Sequence, residues 1–297
     1  MKKLLLLLCM VLLLTACGKG DEEENTEKRT FLSTLEYANT GKMGDVDGPA
    51  FAVYSQVGYT GASAVLDIEK MEINTVFPNG KFLNGYAFLG IDVYHDTGGS
   101  FWDNCVDVGL CWAGKEGGWH IFYNMYEPLN EKTPTWYESS VILPKDDIYT
   151  MTLKITEDNY ALLTVEGQKT GVKDEVRLEV KGASADGSNT SFLFNAALDY
   201  PPNTKIGQDG KFCDDFVDIT LASSDKGIYL RSFHVTDLTL YRNETAIEWT
   251  NNKCTAISIW PDQKIKEFDY SPTVVETFDG TEYIIDLDMN RKSAPPA

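Results

Sequence analysis

Histidine is scarce in this chain. His95, His120 and His234 are the three present among 297 residues, and none lies near another in sequence. No paired CxxC spacing and no HExxH run accompany them, which removes the usual sequence signatures of a zinc centre. The nucleophile elbow and the phosphate-cradling Walker loop are absent as well. Basic residues are the next shortage. Lys and Arg number 26 against 45 Asp and Glu, for a net charge of −19. So acidic a surface repels phosphate backbones and excludes nucleic acid as a partner. No stretch shows a sustained 3.6-residue apolar period, so an α-helical body is excluded too. No apolar run reaches the roughly 20 residues that a spanning helix needs. The longest, Leu4 to Leu14, is broken only by Cys9 and Met10.

That short run is the first informative feature. Lys2 and Lys3 precede it and Leu14-Thr15-Ala16-Cys17 follows, which is the layout of a secretory signal peptide over residues 1–16. The cysteine at the cut resembles the lipobox of bacterial lipoproteins. The resemblance implies cleavage before Cys17, a diacylglyceryl thioether on its sulfur and an acyl chain on its new amino group. Stable anchoring takes two lipid chains, or one chain and a second signal, and a triacylated Cys17 would need no basic patch. Residues 17–30 then form an acidic tether, Gly18-Lys19-Gly20-Asp21-Glu22-Glu23-Glu24-Asn25-Thr26-Glu27. Its composition is that of a solvated, disordered linker. It also resembles the export signal that sends Bacteroidota lipoproteins to the outer leaflet of the outer membrane. The expected location is therefore the outer membrane, lipid-anchored and facing outward, with the membrane as a partner.

The remainder reads as β-structure. Met151, Leu153 and Ile155 alternate with polar residues, Glu157-Asp158-Asn159 makes a turn, and Ala161, Leu163 and Val165 alternate on the return strand. Val176, Leu178 and Val180 continue the pattern. Further strands are expected at 51–57, 64–73, 85–94, 107–113, 118–125, 135–142, 191–198, 215–222 and 228–241, separated by Gly, Asn, Asp and Pro clusters such as Pro78-Asn79-Gly80. Short strands at this spacing predict an all-β jelly-roll sandwich over 31–241. Residues 242–297 are expected to add strands near Ala256–Trp260 and Tyr283–Leu287, then a flexible tail.

Four cysteines remain in the exported body, where disulfides persist. Cys105 with Cys111, as a small loop clip, and Cys213 with Cys254 are the expected pairs. Free thiols are the competing reading, because spacing alone does not fix the geometry.

The central segment is the most distinctive. Tyr86-Ala87-Phe88-Leu89-Gly90-Ile91-Asp92 is followed by Val106-Asp107-Val108-Gly109-Leu110 and Gly118-Trp119-His120-Ile121-Phe122-Tyr123-Asn124-Met125-Tyr126-Glu127-Pro128, with Ile73-Asn74-Thr75-Val76-Phe77-Pro78 upstream. In order and character this resembles the glutamic peptidases of the eqolisin family, which show a WxGID strand, a Gln-Thr-Gly strand and an aromatic strand. The resemblance covers about residues 51–222 and implies a concanavalin A-like β-sandwich. It places the family's catalytic glutamine at Asp107, and the catalytic glutamate on Ser191–Leu198, which contains no Glu. Attack on an amide needs a titrating group aimed at the scissile bond, so the resemblance implies the fold and not the activity.

A glycoside hydrolase on such a sandwich would need two spaced carboxylates. No ExDxxE run is present, and Asp92, Asp107, Glu127 and Glu138 are candidates by region only. No catalytic residue is assigned. Trp102, Trp112, Trp119, Tyr123, Tyr126, Trp136 and Tyr137 crowd one stretch, and clustered aromatics mark binding sites as well as cores. Alternation over 118–126 puts Trp119, Ile121, Tyr123 and Met125 on one face, read as core. His120, Phe122, Asn124 and Tyr126 take the other. Trp102, Phe122, Tyr126 and Trp136 are the expected ligand-binding residues. A non-catalytic module binding glycan is the leading expectation, with a glycan or peptide hydrolase and an accessory subunit of a surface complex as alternatives. No cofactor is expected. Asp45-Val46-Asp47-Gly48, and Asp209-Gly210 with Asp214-Asp215, are oxygen-rich enough for a structural calcium, although turn formation explains such Asp residues equally.

Overall fold

The computed structural model describes residues 31–32, 50–76, 82–95, 102–113, 117–198, 228–249, 254–260, 264–265, 268–269 and 274–291. The signal peptide, the tether, both acidic loops considered for calcium, the expected strand 215–222 and Cys213 lie outside these residues. Among the described residues no helix is long and apolar enough to cross a membrane.

The strands in chain order are β1 (Phe31–Leu32), β2 (Ala50–Ser55), β3 (Gly61–Asp67), β4 (Glu72–Asn74), β5 (Gly85–Tyr94), β6 (Trp102–Ala113), β7 (Gly118–Met125), β8 (Trp136–Glu138), β9 (Ile148–Glu157), β10 (Tyr160–Gly167), β11 (Lys173–Glu179), β12 (Thr190–Leu198), β13 (Tyr229–Arg242), β14 (Thr245–Glu248), β15 (Cys254–Trp260), β16 (Lys264–Ile265), β17 (Phe268–Asp269), β18 (Val274–Phe278) and β19 (Tyr283–Asp288). Eight form one sheet in the order β1-β15-β2-β12-β5-β6-β7-β8. The second sheet runs β11-β10-β9-β3-β13-β19-β18, with β4 and β14 also paired to β13. Among the described residues, pairing is antiparallel except between β1 and β15. The chain is an all-β sandwich.

Alternation builds the core. Ala87, Leu89, Ile91 and Val93 of β5 meet Val106, Val108 and Leu110 of β6 and Trp119, Ile121, Tyr123 and Met125 of β7 on the inner side of the first sheet. Tyr149, Met151, Leu153 and Ile155 of β9 and Leu230, Phe233, Val235 and Leu240 of β13 face them from the second. Trp119, Tyr149, Phe51, Phe192, Phe194 and Phe233 are the largest side chains wholly removed from water. Each contributes about 1.5–3 kcal/mol of burial. The set expected inward on β7 is the set found there.

The expected strand 64–73 is two strands. β3 ends at Asp67 because the chain turns there, closed by a 2.7 Å ion pair from Lys70 to Asp67, and β4 begins at Glu72. The expected strand 135–142 shrinks to Trp136–Glu138. Past it, only Leu143 returns to pair with Trp119 in a single bridge. β6 starts five residues before the expected 107, at Trp102. The late strands enter both sheets: β15 pairs with β2, and β19 with β13.

The Cys105–Cys111 clip does not form. Neither cysteine is in a disulfide. The interval is not a loop but the middle of β6, hydrogen-bonded on one side to β5 and on the other to β7. Six residues of strand span about 20 Å, whereas a disulfide needs Cα atoms within about 7 Å.

Candidate functional site: the outer face of the eight-stranded sheet

The outward positions of β12, β5, β6 and β7 form rows set by the strand register. Leu193 pairs with Gly90, Gly90 with Asp107 and Asp107 with Asn124, which pairs with Trp136 of β8. One step along, Asn195 pairs with Phe88, Phe88 with Gly109, Gly109 with Phe122 and Phe122 with Glu138. On the opposite flank Ser191 pairs with Asp92 and Asp92 with Cys105, and Tyr126 donates its amide to the Cys105 carbonyl at 3.1 Å.

Two glycines shape this surface. A side-chain carbon at Gly109 would lie 2.4 Å from Phe88 Cα. The bare backbone lets the rings of Phe88 and Phe122 close over it, edge to face at 5.8 Å. At Gly90 a side-chain carbon would lie 2.8 Å from Leu193 and 3.0 Å from Asp107 Oδ1. The Asp107 carboxylate therefore leans across β5 instead of standing upright.

Phe88, Cys111, Phe122 and Leu193 are buried although they point away from the core, and Tyr54 and Tyr86 pack against them. Trp136 covers Phe122 at 5.4 Å between ring centres and meets Tyr86 edge-on at 6.5 Å. Its indole N–H donates to Glu138 at 3.2 Å. Trp102 and Tyr126 form a second aromatic pair, 5.2 Å apart and tilted by 60°. Trp102 donates from Nε1 to Asp92 Oδ1 at 3.1 Å.

Of the four expected ligand-binding residues, Trp102, Tyr126 and Trp136 are 47%, 55% and 41% exposed, while Phe122 is 2% exposed. All four share the outer face. Phe122, however, is floor rather than contact surface, because Trp136 and Tyr86 lie on it. Tyr86 is not among the expected ligand-binding residues, and Asp92 is expected only as a candidate carboxylate by region. Alternation over Tyr86, Phe88, Gly90 and Asp92 places them together, but only the register with β6 and β7 brings them to the tryptophans.

The loop from β7 to β8 is fixed from below. Asn104, 2% exposed, donates to the carbonyls of Glu127 and Lys181 and accepts the Glu127 amide. Glu179 of β11 takes the amides of Leu129 and Asn130 and the hydroxyl of Thr133. These bonds set where Tyr126 and Trp136 emerge.

The electrostatics centre on Asp92. Burial raises its carboxyl pKa to about 6, against the opposing effect of the Trp102 hydrogen bond. Burial, and then Asp107 and Asp92, push the Cys105 thiol up, which makes it a poor nucleophile. His120 is 9% exposed and its Nδ1 donates to the Ser139 carbonyl at 3.0 Å, which makes it a packed and hydrogen-bonded residue. Among the described residues no group of three or more His, Cys, Asp or Glu is placed to hold a metal ion. The strand on which the eqolisin resemblance would seat a catalytic glutamate presents Asn195 to this face, its Oδ1 buried without a hydrogen-bond partner.

No family model matches this chain, and no curated protein matches it. Among solved structures it is similar to scytalido-glutamic peptidase with a transition-state analogue inhibitor, at a TM-score of 0.47 and 13% identity over 80% of this chain and 97% of that one. It is also similar to SCP-B, a member of the eqolisin family of peptidases, at 0.44 and 13% over 81% and 98%. Aspergilloglutamic peptidase from Aspergillus niger follows at 0.34 and 14% over 67% and 96%. The structural neighbours thus include eqolisin glutamic peptidases at low identity.

Proposed function

We propose that this protein is a lipoprotein, held by Cys17 at the outer membrane and facing outward, whose outer sheet face binds glycan without cleaving it. The observation that carries the binding reading is the exposed Trp102–Tyr126 pair, with its indole fixed by Asp92, on the same face as exposed Trp136. Aromatic faces combine apolar contact with a polar handle and suit a ligand with one apolar and one hydroxylated side. The lipobox and acidic tether support the location.

A glycan array probed with the mature chain in detergent tests the binding reading. Binding that disappears in a Trp102→Ala, Trp136→Ala double variant of unchanged circular dichroism is the expected result. Absence of any glycan signal sinks it. For the anchor, Cys17→Ser should abolish membrane fractionation, and removal by protease from intact cells tests outward display.

A hydrolase is the second reading, favoured by one observation. Asp92, with its carboxyl held near pKa 6, is a diagonal neighbour of Asp107 on the adjoining strand, at a Cα separation of about 7–8 Å. A protonated and an ionised carboxylate side by side are the requirement for acid–base cleavage. Release of reducing ends from a polysaccharide panel, lost in Asp92→Asn and in Asp107→Asn, would put this reading first.

A further inference from the structure

The eight-stranded sheet has a charge pattern unlike that of its partner. None of its strands, β1, β2, β5, β6, β7, β8, β12 or β15, contains a Lys or Arg, while Asp92, Asp103, Asp107 and Glu138 lie within them. Apart from Lys264 of β16, the cations of the described strands sit on the second sheet, among them Lys154, Arg177, Arg231 and Arg242. Beside the Trp102–Tyr126 pair, Lys181 is tied to Glu127 at 2.7 Å and His95 to Asp103 at 3.1 Å.

The aromatic residues of this face fall into two groups. Trp102 and Tyr126 stand at the row of Cys105, Tyr86 and Phe122 stand at the rows of Cys111 and Gly109, and the ring of Trp136 lies against these two from the β8 side. From Cys105 to Gly109 is four residues of β6, about 14 Å along the strand. The row between the groups carries Asp107 directly paired to Asn124, and at its β8 end the backbone of Trp136, whose ring leans out of that row onto Phe122.

We infer that this face takes an uncharged oligosaccharide laid along the strands, with one sugar on Trp102–Tyr126, another on Trp136–Tyr86, and the hydroxyls between them bonded to Asp107 and Asn124. The inference rests on the glycan reading and names the class of sugar. A single ring cannot touch both aromatic groups across about 14 Å, so the ligand is a chain. Uronate, sulfate or sialate groups on that chain would be drawn over Asp92, Asp107 and Glu138 on strands that carry no Lys or Arg. Like-charge juxtaposition of this kind selects against acidic glycans. Neutral hydroxyls, by contrast, donate to those same carboxylates.

The test measures binding of the mature chain in detergent to neutral polysaccharides (β-glucan, mannan, galactan) and acidic ones (polygalacturonate, heparin, sialylated mucin glycans). Fragments of increasing length from whichever polymer binds are then titrated by calorimetry. Binding confined to the neutral set is expected, with affinity rising about tenfold or more from two-sugar to longer fragments. Trp102→Ala and Trp136→Ala should each weaken long fragments, and a two-sugar fragment should respond to only one of them. Acidic polymers bound as tightly as neutral ones, or affinity independent of length, would overturn the inference while leaving glycan binding intact. No binding to any polymer would overturn the glycan reading beneath it.

Discussion

The indole N–H of Trp102 donates to Asp92 Oδ1 at 3.1 Å, joining the first residue of β6 to the outward face of β5. The bond explains how a side chain 47% exposed keeps one orientation at a strand end. It also leaves a carboxyl group in surroundings that disfavour its charge, with a pKa of about 6.

Asp92→Asn should therefore stabilise the fold at neutral pH. Below the ordinary carboxyl value, folded and unfolded states are both protonated and burial costs nothing. Between about pH 4 and 6 the folded state holds a proton that the unfolded state lacks, so stability falls as pH rises, and above 6 the loss is complete. The asparagine variant, which keeps an acceptor for Trp102, should gain up to about 3 kcal/mol at pH 7.5 and little at pH 4. Denaturant unfolding at both values measures this, and an equal change at the two would contradict it.

Asp147 should show the opposite sign. It is fully buried, and its carboxylate takes the amides of Ile148, Lys169 and Thr170 and the Thr170 hydroxyl. Burial works against its charge, but these hydrogen bonds together outweigh it and lower the pKa. Its stabilisation is present above the ordinary carboxyl value and lost as pH falls through the lowered one. Asp147→Ala should cost about 3 kcal/mol at pH 7, because it strands buried donors. The difference between variant and parent should shrink in acid, where the parent loses its charge-assisted bonds, without vanishing, since a protonated carboxyl still accepts.

Gly109→Ala should distort the aromatic floor. The added carbon would meet Phe88 Cα at 2.4 Å and the Ala87 carbonyl at 2.6 Å, backbone atoms of a paired strand that cannot swing away. A loss of about 2–3 kcal/mol is expected. Ligand affinity should fall with it, since Phe88 and Phe122 close over this position and Trp136 rests on Phe122.

Cys105 and Cys111 should both be recovered as thiols. Alkylation of the unfolded chain without reductant, followed by peptide mapping, should label each. Native alkylation should spare Cys111, which is wholly buried. A cross-linked 105–111 peptide would contradict the strand assignment of β6.

Much of the fold was legible because a half-buried strand writes itself into sequence as a two-residue period. Met151, Leu153 and Ile155, and then Ala161, Leu163 and Val165, announce their hairpin, and the inner face of β7 could be named residue by residue. The cysteine clip was misread because sequence distance says nothing about whether the interval is a loop or a strand. Phe122 was placed on the correct face, yet its burial depended on Trp136 from a different strand. The pairing of Trp102 with Asp92 was not legible at all, because it follows from a register shift between Val93 and Tyr94.

The sequence by itself determined the class of the body, the inward set of each regular strand and the acidity of the chain, because composition and alternation are local properties. Its first seventeen residues carried the expectation of a lipid anchor, on which the described structure does not bear. Tertiary structure alone decided that, among the described residues, the eight-stranded sheet carries no strand cation and brings the exposed Trp102, Tyr126 and Trp136 to its outer face. It also decided that two glycines make room for Asp107 and for the Phe88–Phe122 pair. These are properties of which strands lie side by side and in what register, and no local period encodes that.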